Sequence, residues 1–579
     1  MSREILGSSQ IAGTDWNRNG SQSSASRSLV DAEAFRRRSV ADPYDQANLT
    51  RNQLQVWIAQ NLLPEVPIYN LAIGLHLEGS IDRDHFQKAF HVLVSSSDAL
   101  RTVIEEADGV PIQKVLEEAP SATQFVDFSR HANAESRAEK WMRERCQAPL
   151  DWRRGLYDSV LIKSAPQQFV WYLNIHHMIC DGWSIELIYR HMAELYRCSR
   201  EGRLAQKIDL PLFAEYRAYE RKYRQTPRYQ KAQAYWNEVL ARGGEIVNFY
   251  GRVPSNVTTR VRRLSEKLGL DRTAKLKAAA AAIANGTESS ALFDVFAAVL
   301  VGYLHCLNGN ESYTTGVPFH NRRSQLSFKQ TMGFFSEVLP VRVTLAEDET
   351  FASLIKKFGR ETRRTLRHGQ HVVTNPIFKR LYEVTLNYHT RSFCDFAGIS
   401  ARPEWIHNGH GDESLAVQIR DFGSSNNLAV DFDLHEGLFD EQDSARVVDH
   451  FFRVLDAFLL DPSRPLRQLT LTSPQEAQRL LVDWNTPIAP TEARRVVHRL
   501  FETQAAERPD AIAVVHAEEH LTYGDLNRRA NSLAQLLRAR GVTPQTLVGI
   551  YLTRSTELMV AILGTLKGGA VYVPIDPEY

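Results

Sequence analysis

The stretch from Phe169 to Ile175 places the tightest limit on what this chain can become. It is an almost unbroken apolar and aromatic run, too short for an ordinary helix and built of residue types that favour strands. It predicts a strand buried on both faces. The run leads directly into His176-His177-Met178-Ile179-Cys180-Asp181-Gly182. Beyond that loop, Ile185, Ile188, Met192 and Leu195 recur at helical spacing, which predicts a helix from Ser184 to Tyr196 with Ser184 as its N-cap. A buried strand, a polar loop and a helix together form a rigid platform for reactive side chains.

The rest of the chain is a mixture of helix and strand. Leu54, Trp57, Ile58 and Leu62 predict a helix, Tyr69 to Leu77 a strand, and Asp82 to Ser96 a further helix. From about Arg221 to Asp483 comes a second mixed region. It holds an apolar helix (Leu292 to Cys306), strand-like runs at Val338 to Leu345 and Tyr382 to Tyr388, and an amphipathic helix (Ser444 to Leu460). The nearest approach to a membrane span, Ala291 to Leu307, is interrupted by Asp294 and reads as a buried helix. Trp484 to Arg495 contains prolines and reads as a linker. After Val497, helices (Tyr523 to Arg540, Thr556 to Lys567) alternate with short strands (Ala511 to Val515, Leu547 to Leu552), an α/β signature. The first forty or so residues are rich in Ser, Arg, Asn and Gly, which predicts a disordered tail.

Composition narrows the function. The 579 residues suit two to four compact lobes. With 69 Lys and Arg against 68 Asp and Glu, no electrostatic argument points to nucleic acid or an anionic membrane. Five cysteines (Cys146, Cys180, Cys198, Cys306 and Cys394) are scattered and odd in number, which argues against a disulfide framework and for a reducing cytoplasm. No apolar N-terminal run suggests a secretory signal.

The chemistry gathers at the double histidine. Transfer of an acyl group to an amine at neutral pH needs a group that orients the amine and takes its proton, and imidazole has the right pKa. Adjacent strand residues point to opposite faces, so one of His176 and His177 faces the site and the other is structural. Asp181 can hold the loop by pairing with an arginine or orient a histidine, and Gly182 suits a sharp turn into the helix. A metal site would want more ligands at organised spacing. His407 and His410 qualify only in spacing, so no metal is expected.

With its context, Asn174 to Ser184, this motif resembles the active-site signature of nonribosomal peptide synthetase condensation domains. Further matches occur in that family's order. Leu49-Thr50, Gln53, Val56-Trp57 and Gln60 resemble the opening motif, and Asp98-Ala99-Leu100-Arg101-Thr102 the second. Phe213 to Tyr219 with Tyr235-Trp236, Gly316-Val317-Pro318 with Arg322, Met332-Gly333-Phe334-Phe335, and Leu386-Asn387-Tyr388 resemble later ones. The similarity covers about Leu49 to Trp484. Leu521 to Leu526 and Leu566 to Asp576 resemble the first two motifs of an adenylation domain, without the phosphate-binding loop that follows them in that family.

The resemblance implies an α/β (α+β) fold of two chloramphenicol-acetyltransferase-like lobes forming a V-shaped pseudo-dimer around a tunnel. The organisation it implies is a tail (1–44), an N-lobe (45–220), a C-lobe (221–483), a linker (484–497) and a truncated adenylation start (498–579). It implies that His177 is catalytic, His176 structural, and Asp181 paired with Arg322. Gly182 would offer its N–H near the tunnel, Asn387 would lie across the cleft, and Arg101, Trp183 and Ser184 would support the site. The reaction implied is amide formation between an acyl or peptidyl thioester and a carrier-bound aminoacyl amine, with initiation from an acyl-CoA as one form of it. The domain would bind no cofactor of its own. Its substrates would arrive on the phosphopantetheine arms of donor and acceptor carrier proteins, or as acyl-CoA, beside an adenylation domain in cis.

The sequence departs from the pattern at Ser96-Ser97-Asp98, where Arg-His-Glu is usual, and at Ser336-Glu337, where Val-Asn is usual. The sixth motif is blurred around His368 to Phe378. The competing readings are an epimerisation domain, a non-catalytic condensation-like recruitment platform, and a single-lobe acetyltransferase. Cyclisation is disfavoured because its catalysts carry Asp where this chain has His176 and His177.

Overall fold

The computed structural model describes residues 43–243, 247–252, 258–283, 286–322, 325–369, 381–390, 395–421, 427–485 and 496–578. The expected tail, most of the Trp484–Arg495 linker, most of the sixth-motif segment and Cys394 lie outside them. Two compact units are present, one ending at Leu471 and the other spanning Thr472–Tyr579.

Unit 1 opens with α1 (Pro43–Gln46) and α2 (Arg51–Leu62), then β1 (Asn70–Glu78) and α3 (Arg83–Ser96). A hairpin follows, β2 (Thr102–Ala107) and β3 (Val110–Val115), then β4 (Gln124–Asp127) and α4 (Ala134–Arg145). β5 (Tyr157–Ala165) and β6 (Gln168–His176) lead to α5 (Gly182–Arg200), α6 (Phe213–Tyr223) and α7 (Pro227–Arg242). The second half runs β7 (Val261–Lys267), α8 (Leu270–Ile283), α9 (Glu288–Asn308), β8 (Ser312–His320), β9 (Ser336–Thr344) and α10 (Phe351–Arg367). It closes with β10 (Val384–His389), β11 (Asp395–Phe396), β12 (Ile399–Ile406), β13 (Leu415–Arg420), β14 (Ala429–His435) and α11 (Glu441–Leu460).

These elements form two lobes, each a six-stranded mixed sheet packed with helices. The first sheet has the order β11-β12-β1-β6-β5-β4 and the second β7-β14-β13-β10-β8-β9. β6 is central in its sheet, flanked by β1 and β5, which is why every residue after Gln168 is buried and the run Phe169–Leu173 is apolar. The first sheet is completed by β11 and β12, which come from the second half of the chain; β12 pairs antiparallel with β1 along its length. This crossing strand ties the lobes together beside the cleft.

Each lobe has its own core. Trp171 sits at the centre of the first, edge-on to Phe86, Phe90 and Tyr189. In the second, α9 is buried nearly all round, from Ala291 to Leu304. Among the described residues it is the one helix long and apolar enough to cross a bilayer, and its apolar surface is instead spent on this core. Unit 2 contains α12 (Pro474–Leu481), α13 (Val497–Glu507), β15 (Ile512–His516), β16 (Glu519–Thr522), α14 (Tyr523–Ala539), β17 (Leu547–Tyr551), α15 (Thr556–Gly568) and β18 (Val571–Ile575). Its parallel β17–β18 pair matches the α/β signature of its sequence.

One local expectation is corrected here. Ser184 is not the N-cap of the helix after the double histidine. Asp181 caps it, accepting from Ser184 N–H at 2.9 Å, and the helix starts at Gly182. A carboxylate three residues earlier serves this end better, because it meets both the free N–H groups and the helix dipole.

Candidate active site

His176 and His177 leave the end of β6 on opposite sides, as strand geometry requires. His176 is buried, and its Nδ1 accepts from Met178 N–H at 3.2 Å. Burial, reinforced by the neighbouring His177, pushes its pKa down to about 3, so it is a neutral structural imidazole. His177 is half-buried and lines a cavity of about 420 Å³ between the two sheets. Its ring meets Phe334 at 4.7 Å between centroids, and its Nδ1 is buried without a hydrogen-bond partner. Burial lowers its pKa while the Asp181 charge opposes the shift, which leaves a neutral base at neutral pH.

The loop is held from below by a buried ion pair. Arg322 is fully buried and donates from Nη1 to Asp181 Oδ2 at 2.6 Å. The same oxygen accepts from Phe335 N–H at 3.1 Å. Burial on its own would raise the Asp181 pKa; the Arg322 charge and these hydrogen bonds override it and hold the carboxyl below its ordinary value. Ser184 is the second hub. Its hydroxyl donates to Gly333 O at 2.7 Å and accepts from Gly333 N–H at 2.9 Å and Arg322 Nη2 at 2.7 Å. Gly333 itself has φ +152°, and a Cβ there would run into the Phe213 ring. The histidine loop of one lobe is thereby locked to the β8–β9 connection of the other. From a third side, Gln53 of α2 donates to Met178 O at 3.0 Å.

Of the expected site residues, the structure brings together His177 and Asn387, which line the same cavity, above the Asp181, Arg322 and Ser184 cluster. Two others, Arg101 and Gly182, need correction. Arg101 lines no part of that cavity; its guanidinium donates to the carbonyls of Leu116 and Glu117 and pins the β3 end to the short turn Ala99–Arg101. Trp183 lines no part of the cavity but supports the site from behind, as expected: the Arg322 guanidinium lies over its ring at 5.8 Å, the ring packs tilted against His320 at 4.6 Å, and its indole donates to Lys329 O at 2.9 Å. Gly182 makes no sharp turn. It is exposed, its φ is not positive, and a Cβ would meet nothing within 4 Å, so neither strain nor crowding within the chain demands glycine.

Several cavity residues carried no signal in sequence. Arg263, Gln418, Arg420, Asp431 and Asp433 line the wall contributed by the second sheet. Their alternation with apolar neighbours is visible in the sequence, but which face looks into a cavity is set by the lobe packing. His407 and His410 line it too, yet each is engaged otherwise: His407 Nδ1 accepts from Gly409 N–H at 3.0 Å, and His410 Nδ1 lies 2.9 Å from Thr259 Oγ1. Among the described residues no group of three His, Cys, Asp or Glu is placed to hold a metal.

Comparison with known proteins places this geometry. The family model "Condensation domain" matches residues 44–374, and "AMP-binding enzyme" matches residues 501–579. A linear gramicidin synthase polypeptide of Brevibacillus parabrevis is 27% identical over 555 residues, covering 92% of this chain. The dimodular nonribosomal peptide synthase of Bacillus subtilis (strain 168) is 27% identical over 544 residues, again 92% of this chain. The chain spans only 7% and 22% of the length of those two synthases. Among solved structures, a mutant starter condensation domain of rhizomide synthetase RzmA in complex with C8-CoA has the same fold, with TM-score 0.66 and 24% identity over 73% of this chain and 96% of that one. The first condensation domain of the calcium-dependent antibiotic synthetase, in complex with substrate analogue 2a, gives TM-score 0.65 and 25% identity over 73% and 99%. The chain belongs to the condensation domain family of nonribosomal peptide synthetases, with the start of an AMP-binding domain following it.

Proposed function

We propose that unit 1 forms an amide between an acyl or peptidyl thioester and the amine of an aminoacyl thioester, with His177 at the reacting centre. The observation that carries this reading is His177 itself: a neutral imidazole at the wall of an inter-lobe cavity, on a loop clamped by Asp181 and Arg322. In the reaction the amine nitrogen attacks the thioester carbonyl. The new C–N bond forms, the C–S bond breaks, and the proton lost by the amine ends on the departing thiolate, passed through His177. The thioester is already activated, so holding the two substrates in line supplies much of the rate and His177 supplies orientation and proton transfer.

Both substrates come on phosphopantetheine arms of carrier domains, or the donor comes as an acyl-CoA in a chain-initiating step. The initiating form is favoured by fold likeness to a starter condensation domain solved with C8-CoA. The test is intact-protein mass spectrometry of an aminoacyl-loaded carrier, mixed with this protein and either acyl-CoAs or acyl-loaded carriers. A gain of one acyl group from CoA identifies an initiating domain; a gain only from an acyl-carrier identifies an elongating one. No gain from either refutes amide formation.

A further inference from the structure

The wall of the cavity facing His177 is made by one face of the second sheet; Val261, Pro318, Val338 and Ala416 are apolar members of it, and a continuous polar patch lies between them. On β10, β13 and β14 the odd and even positions separate cleanly. Val384, Leu386, Val417, Ile419, Val430 and Phe432 face the lobe core. The alternate positions Asn387, His389, Gln418, Arg420, Asp431 and Asp433 line the cavity. Register aligns these into rows across the strands: Asn387 opposite Gln418, Gln418 opposite Asp431, and Asp433 opposite Arg263 on β7.

The rows are knitted into one lattice. Arg263 grips Asp433 with two parallel hydrogen bonds, at 2.6 and 2.7 Å, and its Nη1 lies 3.8 Å from Asp431. Arg420 Nη2 donates to Asp431 at 2.7 Å, while its Nε is buried with no partner. His389 Nε2 meets Gln418 Oε1 at 3.0 Å. Asp431 and Asp433 are buried among these partners. Such a lattice is not needed to stabilise a sheet face, because buried ion pairs are about matched or exceeded by apolar residues of the same volume. Its place in the wall of the substrate cavity gives it a use. An alkyl chain laid on it would strip water from charged groups and return no hydrogen bonds, whereas a chain bearing amides, hydroxyls or carboxamides would replace that water in kind.

We infer that this wall selects a substrate chain rich in hydrogen-bonding groups over an alkyl chain of the same length, with the Arg263–Asp433 and Asp431–Arg420 pairs, Gln418 and Asn387 as the specificity-determining residues. The inference rests on the amide-forming reading for the identity of the cavity. The polar chain belongs either to the donor acyl group or to the acceptor side chain.

The test is binding, which does not depend on turnover. Non-reactive pantetheine amides are titrated into the full chain by calorimetry in two arms. The donor arm compares octanoyl-pantetheine amide with a polyhydroxylated or peptidyl amide of equal length. The acceptor arm compares leucyl- with glutaminyl-pantetheine amide. The polar member should bind at least about tenfold tighter in one arm, and that arm names the source. The double variant Arg263→Met/Asp433→Leu, which removes both charges together and leaves neither stranded, should erase or reverse the preference. Gln418→Leu, outside the ion pairs, should weaken it if the double variant misfolds. Equal or tighter binding of the alkyl member in both arms, including no measurable binding of either, overturns the inference. Loss of amide formation with binding preference intact would count against the proposed reaction alone.

Discussion

Replacing Arg322 by Met isolates what the Asp181–Arg322 pair does for the site. Methionine keeps much of the volume and removes the guanidinium. Asp181 then remains buried with only the Ser184 and Phe335 N–H groups, while Ser184 and Gly333 each lose a donor. Removing one partner of a buried pair costs about 3–5 kcal/mol. For a unit of this size, with an unfolding entropy of about 2.1 cal/mol/K per residue, that is a Tm drop of about 3–5 °C. The pH dependence gives a sharper signature. In the native protein the Asp181 carboxyl is held below its ordinary pKa, so its contribution is present above the unfolded value and lost as pH falls through the folded one. In the variant, burial without the cation raises that pKa, so the folded state binds the proton more readily than the unfolded chain and gains stability as pH falls. The Tm gap between the two should therefore be widest near pH 7 and narrow towards pH 4, followed by tryptophan fluorescence on heating. A gap that is constant across pH, or absent, refutes a charge pair as the clamp.

Other consequences follow from the same geometry. In an NMR titration of selectively labelled histidines, the His177 imidazole should keep its neutral form below pH 6.5, because burial outweighs the Asp181 charge; a midpoint above 6.5 contradicts this. Gly182→Ala should leave stability within about 0.5 kcal/mol or raise it, since the position is helical and open; a large loss would show that the backbone there is strained. Asp98→Ala should cost about 1–3 kcal/mol, because Asp98 accepts from the N–H groups of Ala99, Phe213 and Ala214; an unchanged melting curve would dismiss it as the tie between the second motif and α6.

How much of this was legible in the sequence depended on how far apart the partners lie. The strand before His176 follows from an unbroken apolar run of strand-forming residues and the helix at Gly182 from a period of 3.6, and both appear within a few residues of their expected bounds. The separation of the two histidines by face follows from the same strand geometry. The pairing of Asp181 with Arg322 does not, because 141 residues separate them and no local rule joins them; only the motif resemblance pointed there. Arg101 shows the opposite limit. Sitting in a motif put it in the site by association, yet the backbone aims it at the carbonyl of Leu116. The Arg263–Asp433 lattice was invisible for a further reason: alternation marks two faces of a strand, and only the packing of lobe on lobe decides which one a substrate meets.

The most direct test of the account is a single-turnover quench. This protein and its His177→Ala form are each mixed with an acyl thioester and an aminoacyl-loaded carrier, and amide is measured against time. The native protein should form the amide, and the variant, with an unchanged melting curve, should be slower by about 10²–10⁴-fold. A folded variant that forms amide at the native rate would contradict the placement of the chemistry at His177.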